Sequence, residues 1–246
     1  MRTHALVWAL VVAAVLPGAT AAQPAANPTV FAAASLTQVL PAIDSRPRYD
    51  FAGSDQLAVQ IQQGAPADVF VAASPKYPEL LYRQGLVEKP IPFATNTLVL
   101  IVPRANPANI HSVMDLTKPG VKLVIGDASV PVGSYARTVL NNLGITSSVM
   151  KNVVSQETDV KGVLGKVALG EADAGFVYTT DAKPVLRKVG VIRIRESAQP
   201  RVVYEVAVVK ESAHLREAHA FVTRLIRPPA QRTLVRYGFG PKPPFG

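Results

Sequence analysis

The stretch Val30-Phe31-Ala32-Ala33-Ala34-Ser35-Leu36-Thr37-Gln38, VFAAASLTQ, decides how this chain is read. A short apolar run stops at a bare hydroxyl, and Ser35-x-x-Gln38 has the spacing of a helix-starting capping box. A strand that hands over to a helix within one turn is the unit of an α/β fold. The alanines ahead of the serine leave little bulk around it. The pattern returns at Phe51-Ala52-Gly53-Ser54-Asp55-Gln56-Leu57. There Ser54 reads as the cap of a helix carrying Leu57 and Ile61, with Gly64 as its stop.

Outward from these two points, short apolar runs alternate with helix-like spacing. Residues 29–33, 49–52, 69–72, 97–102, 122–126, 174–178, 191–195 and 203–209 read as strands. Between them, apolar residues three or four apart mark helices: Leu57 with Ile61, Val139 with Leu143, Val160 with Val163 and Val167, Phe221 with Leu225. The alternation predicts an α/β protein with mixed, mainly parallel sheets. Residues 97–104 and 201–210 are longer β-prone runs, which read as connections between two lobes. The Pro-rich end from Gly240 reads as an irregular tail.

The whole chain bounds the rest. Its 246 residues are 48% apolar, enough for a substantial core. Arg2 and His4 precede an apolar run over 5–16; Pro17-Gly18 breaks it, and Ala19-Thr20-Ala21-Ala22 supplies small residues for cleavage. Residues 1–22 therefore read as a secretory signal peptide, too short to span a bilayer. The chain has no cysteine, which removes disulfides, thiolate metal sites, a cysteine nucleophile and a lipid-bearing cysteine after the signal. The expectation is a soluble protein exported to the periplasm. Lys and Arg number 26 against 17 acidic residues, a net charge of +9. They are scattered without interleaved aromatics, so they read as a solvated basic surface and not as a nucleic-acid site.

Catalytic signatures are missing. Beyond the signal only His111, His214 and His219 remain, none spaced for a metal with another histidine or a carboxylate pair. No G-x-S-x-G elbow, P-loop or G-x-G-x-x-G occurs, and no base stands beside a serine in the sequence. No catalytic residue and no protein-ligated metal is assigned. Four helix starts share a different chemistry. They lie at Ser35, at Ser54, at Pro131-Val132-Gly133-Ser134 and at Asp159-Val160. Each sets free backbone N–H groups and the positive end of a helix dipole at the carboxyl end of a strand. That is where open α/β sheets bind ligands, and an oxyanion can be held there without Lys or Arg.

Taken in order, these residues resemble the periplasmic molybdate-binding proteins of ABC importers, the ModA family. The resemblance rests on VFAAASLT at 30–37, FAGS at 51–54 with Leu57, and QIQQGAPADVF at 60–70. It continues through VPVGSY at 130–135, Asp159-Val160, GFVY at 175–178 with Asp181-Ala182, EVAVV at 205–209 and RYGF at 236–239. The resemblance implies a two-lobed periplasmic binding protein, lobe I from 27–98 plus 206–246 and lobe II from 99–205, with the anion in the cleft between them. It implies that Ser35 and Ser54 each donate a hydroxyl and a backbone N–H, Val132 and Val160 a backbone N–H, and Tyr178 its phenolic hydroxyl. The implied ligand is molybdate or tungstate, without a cofactor. The implied partner is an inner-membrane ABC permease, met by a monomer. Pro41 shortens or kinks the first helix. Asp55 reads as a first-turn residue favoured by the helix dipole, or as the proton acceptor that hydrogen phosphate would need. A phosphate or sulfate binder, and an exported hydrolase using Ser35 or Ser54, stand as the alternatives.

Overall fold

The computed structural model describes residues 27–243, so the signal-peptide reading of 1–22 lies outside the described residues. From its start the chain runs β1 (Thr29–Ala33), a 3-10 turn at Ala34–Leu36, α1 (Val39–Ile43), β2 (Arg48–Ala52), α2 (Ser54–Gln62), β3 (Val69–Ala72), α3 (Lys76–Arg83) and β4 (Ile91–Asn96). It then enters a second sheet through β5 (Leu98–Pro103), β6 (Leu123–Gly126), α4 (Pro131–Asn142), α5 (Thr146–Val149), β7 (Val153–Glu157), α6 (Val160–Ala168), β8 (Ala174–Tyr178), α7 (Thr179–Ala182) and β9 (Val189–Arg193). It returns through β10 (Val202–Val208) to α8 (Leu215–Ile226) and α9 (Pro228–Tyr237).

The strand orders are β2-β1-β3-β10-β4 and β7-β6-β8-β5-β9. Chain passage from the first sheet to the second falls between Asn96 and Leu98, and β10 rejoins the first sheet from Val202, ahead of residue 206. The sheets are mixed as expected: in each, four strands run in one direction and a single strand, β10 or β5, is reversed. Beside the parallel pairs β1–β2, β1–β3, β6–β7 and β6–β8 stand as many antiparallel ones, β10–β3, β10–β4, β5–β8 and β5–β9. The antiparallel pairings all belong to β5 and β10, the two long runs read as connections. Each is itself a strand inside one sheet, entered directly after the chain has crossed.

The pleat sorts the side chains of β1 and β3 between two cores, since successive residues point to opposite faces. Val30, Ala32, Val69 and Val71 enter a large cluster that continues through Leu100, Val124 and Phe176 of the second sheet. Phe31, Phe70 and Ala72 face α2 and α3, packing with Leu57, Ile61 and Leu81. Buried on both faces, these strands read as continuous apolar runs. Gly240 itself is pinned to the first sheet, its N–H donating to Thr95 O at 2.8 Å and its carbonyl accepting from Thr95 N at 3.3 Å, and residues 241–243 beyond it are irregular.

Candidate functional site

The carboxyl ends of β1, β2, β3, β6, β7 and β8 converge on one small cavity, which suits a compact guest. Ser35, Ser54, Val132, Val160 and Tyr178, the five residues singled out in the sequence, all line it. The first two come from the unit built on the first sheet and the other three from the second. Alanines and Gly53 fill the wall between them, so little bulk stands in front of the donors.

The two serines are not wired as capping residues. Ser35 lies inside the 3-10 turn, whose cap position is Ala33, and Ala33 makes no side-chain cap bond. A helix running unbroken from Ser35 would carry Pro41 in its interior, where the missing N–H and the ring are costly. Breaking before Val39 puts Pro41 in the first turn of α1, where no backbone donor is required of it. The Ser35 hydroxyl is left 2.9 Å from the Tyr204 hydroxyl. Ser54 is the first residue of α2, with Gly53 at the cap. Its Oγ accepts the Ala73 N–H at 3.1 Å, which leaves the hydroxyl proton of Ser54 available to a guest.

The helix starts of the second unit present bare amides. Pro131 opens α4, lacks an N–H, and makes Val132 the first donor of that turn. At α6 the Asp159 carboxylate accepts from Lys161 N at 2.6 Å and Gly162 N at 3.1 Å. The first-turn N–H of Val160 has no helical acceptor of its own. Tyr178 is 1% exposed, and its hydroxyl is buried without a hydrogen-bond partner. Burial, with Tyr204 and Tyr135 close by, holds its phenol well above its ordinary pKa, so it remains a proton donor. Below it, fully buried Asp181 accepts from Lys161 Nζ at 2.6 Å, tying α7 to α6. Burial raises the Asp181 carboxyl while Lys161 holds it down.

Among the described residues no Lys, Arg or His lines the cavity, and the one carboxylate there, Asp159, is engaged as a cap. The arrangement is a set of hydrogen-bond donors and helix ends aimed at one point. Such a set recognises an acceptor-only anion. Neither serine has a base beside it: their partners are Tyr204 and Ala73 N. The described histidines lie elsewhere, His111 against Asn109, His214 against Asp68 and His219 against Glu88. Asp55 does not line the cavity either; its carboxylate turns to Ser129 of the second unit at 2.6 Å.

Tyr204 and Asp181 had no assigned role at the site in the sequence. Tyr204 sits inside a fully buried strand and Asp181 is three residues past Tyr178, so neither carries a periodicity that separates it from ordinary core.

A family model described as "Bacterial extracellular solute-binding protein" matches residues 28–240. The molybdate-binding protein ModA of Mycobacterium tuberculosis H37Rv is 39% identical over 227 residues, covering 88% of this chain and 85% of its own. The chain belongs to the ModA family of solute-binding proteins. The Escherichia coli K12 ModA is also 34% identical to it over 231 residues, 86% of this chain and 88% of its own. In fold, this ModA-family protein matches the Azotobacter vinelandii periplasmic molybdate-binding protein with a TM-score of 0.76. The match covers 87% of this chain and 98% of the other at 21% identity. As a member of an extracellular solute-binding family it acts by holding a ligand, and the hydrolase alternative is not favoured.

Proposed function

We propose that this protein captures molybdate, and tungstate with it, in the cavity between the two units and delivers it to an inner-membrane ABC permease. The units act as lobes, the anion draws them together, and the monomer works in the periplasm after export through its signal peptide. The observation that carries this reading is the buried, partnerless hydroxyl of Tyr178 facing a cavity that holds donors and no cation. The names of the ModA relatives support the choice of anion.

The physics supports the neutral donors. Molybdate is a tetrahedral dianion with acceptors only. Each hydrogen bond to it contributes about 1.5–3 kcal/mol net, and each helix end adds about 0.3–1 kcal/mol, more when partly buried. A buried Arg would attract it but would carry a desolvation penalty and stand unpaired in the empty cleft. Hydrogen phosphate carries a proton and needs an acceptor in the site. Asp55, the acceptor suggested by the sequence, is turned to Ser129 instead. Sulfate would have to be discriminated by size.

The test is calorimetric titration of the mature protein with molybdate, tungstate, sulfate and phosphate at one pH and salt. One-to-one binding of the first two, with no heat from the others, is the expected result. Binding of phosphate or sulfate in their place would overturn the assignment.

A further inference from the structure

Asp55 on α2 and Tyr77 on α3 belong to the first unit, and both reach across to one residue of the second, Ser129. The Ser129 hydroxyl donates to Asp55 Oδ2 at 2.6 Å, and the Tyr77 hydroxyl donates to the Ser129 carbonyl. Burial, followed by the nearby charges of Asp55 and Asp127, raises the Tyr77 phenol to about 12, which keeps its proton in place. Ser129 is held within its own loop as well. Its N–H donates to Asp127 Oδ1 at 3.0 Å, and its hydroxyl lies 3.0 Å from the same oxygen. Directly after Ser129 come Val130, Pro131 and Val132, three consecutive residues of the cavity wall. A rigid turn therefore connects the cross-cleft bonds to the Val132 amide.

We infer that Asp55, Tyr77 and Ser129 form an interlobe clasp that positions the Val130–Val132 wall on the bound anion and sets how long the closed form lasts. Its make-up favours reversibility. Two carboxylates, Asp55 and Asp127, face one serine proton, and Asp55 Oδ1 is buried without a partner. Such a junction holds while the anion keeps the lobes together and gains little from staying shut alone, because like charges and an unsatisfied carboxylate oxygen oppose it. Asp55, Tyr77 and Ser129 are positioning residues, since none of them lines the cavity.

This inference rests on the proposed anion site, and the experiment separates the two. Ser129→Ala, Asp55→Ala, Asp55→Asn and Tyr77→Phe are made in the full mature chain, which contains no cysteine to complicate labelling. Release of radiolabelled molybdate is followed by chase with unlabelled molybdate. Ser129→Ala and Asp55→Ala should each release it about tenfold faster, the loss of one charge-assisted hydrogen bond. Association should change little. Asp55→Asn, which keeps an acceptor for Ser129, should recover most of the loss. The double variant Asp55→Ala with Ser129→Ala should lose no more than either alone.

The melting temperature without ligand should stay constant throughout, because the clasp's bonds join the two units and take no part in the core of either. Unchanged release rates overturn the clasp. So does a ligand-free melting temperature that falls along with affinity, which would mark ordinary structural residues. A second arm needs no ligand: hydrogen exchange of the Val130 and Ser134 amides, which donate to Asp127 O and Val130 O, reads the order of the loop directly. Exchange there should speed up in Ser129→Ala and Tyr77→Phe while α8 is unaffected. Wild-type protein silent toward molybdate would defeat the anion assignment alone, and the exchange arm would still decide the clasp.

Discussion

Replacing Tyr178 by Phe removes one oxygen and little else. The ring is 1% exposed and stands edge-on to Tyr204 and Tyr135 at centroid distances of 5.9 and 6.5 Å, contacts a phenylalanine keeps. The hydroxyl has no protein partner, so its loss breaks no bond in the ligand-free protein. A buried hydroxyl left unsatisfied costs about 1–3 kcal/mol. The closed arrangement without anion should therefore be unchanged or slightly steadier in the variant. On the proposed function the same oxygen donates to the bound dianion, and its loss should then remove about 1.5–3 kcal/mol. Since 1.4 kcal/mol is tenfold, the affinity falls about 10- to 150-fold. The assay pairs molybdate titration with thermal melts taken with and without the anion. The expected signature has opposite signs: weaker binding, and a ligand-free melting temperature equal to or above wild type. An unaltered affinity would refute the donor role of Tyr178. A ligand-free melt lowered in proportion would show that the hydroxyl stabilises the fold through a partner, against the geometry described above.

Two further predictions follow from positions around the cleft. Gly53→Ala places a methyl against the carbonyl oxygen of Thr158 across the cleft; because Gly53 has an ordinary φ of −60°, the isolated unit should tolerate it. Molybdate affinity should drop more than about tenfold with ligand-free stability held, and a variant that binds like wild type would show that the lobes need not approach so closely. Burial, and then the charge of Glu79, raises Glu205 from 4.5 to about 7. An acid whose folded pKa is raised stabilises the fold below its unfolded value and loses that contribution as pH rises. Stability should accordingly decline between about pH 4.5 and 7, by on the order of 1–2 kcal/mol after solvent screening. Glu205→Gln should abolish the decline, melting above wild type at pH 8 and level with it at pH 4.5; parallel curves would refute the assignment.

Much of the fold was legible because buried strands are apolar without interruption. β1, β3 and β8 fall on the residues expected of them. β4 and β7 were not foreseen, and both are edge strands. An edge tolerates Pro92 in β4 and an exposed, polar β7, since only one side must pair. Strand direction left no trace in composition, which is why the two reversed strands, β5 and β10, read only as links. At the site, the five residues singled out by type line one cavity, yet their wiring was invisible. Ser35 bonds to a tyrosine 169 residues away and Ser54 to the backbone of Ala73, partners that exist only once the chain has folded.

Among the described residues the cavity lining contains no lysine, arginine or histidine. Its donors are alcohols, a phenol and main-chain amides, none of which gains or loses a proton as surroundings turn mildly sour or mildly alkaline. A collector standing outside the cytoplasm enjoys no buffering by the cell. Built in this way, its grip depends on shape and on the anion's own charge, and the weather of the outer medium passes it by.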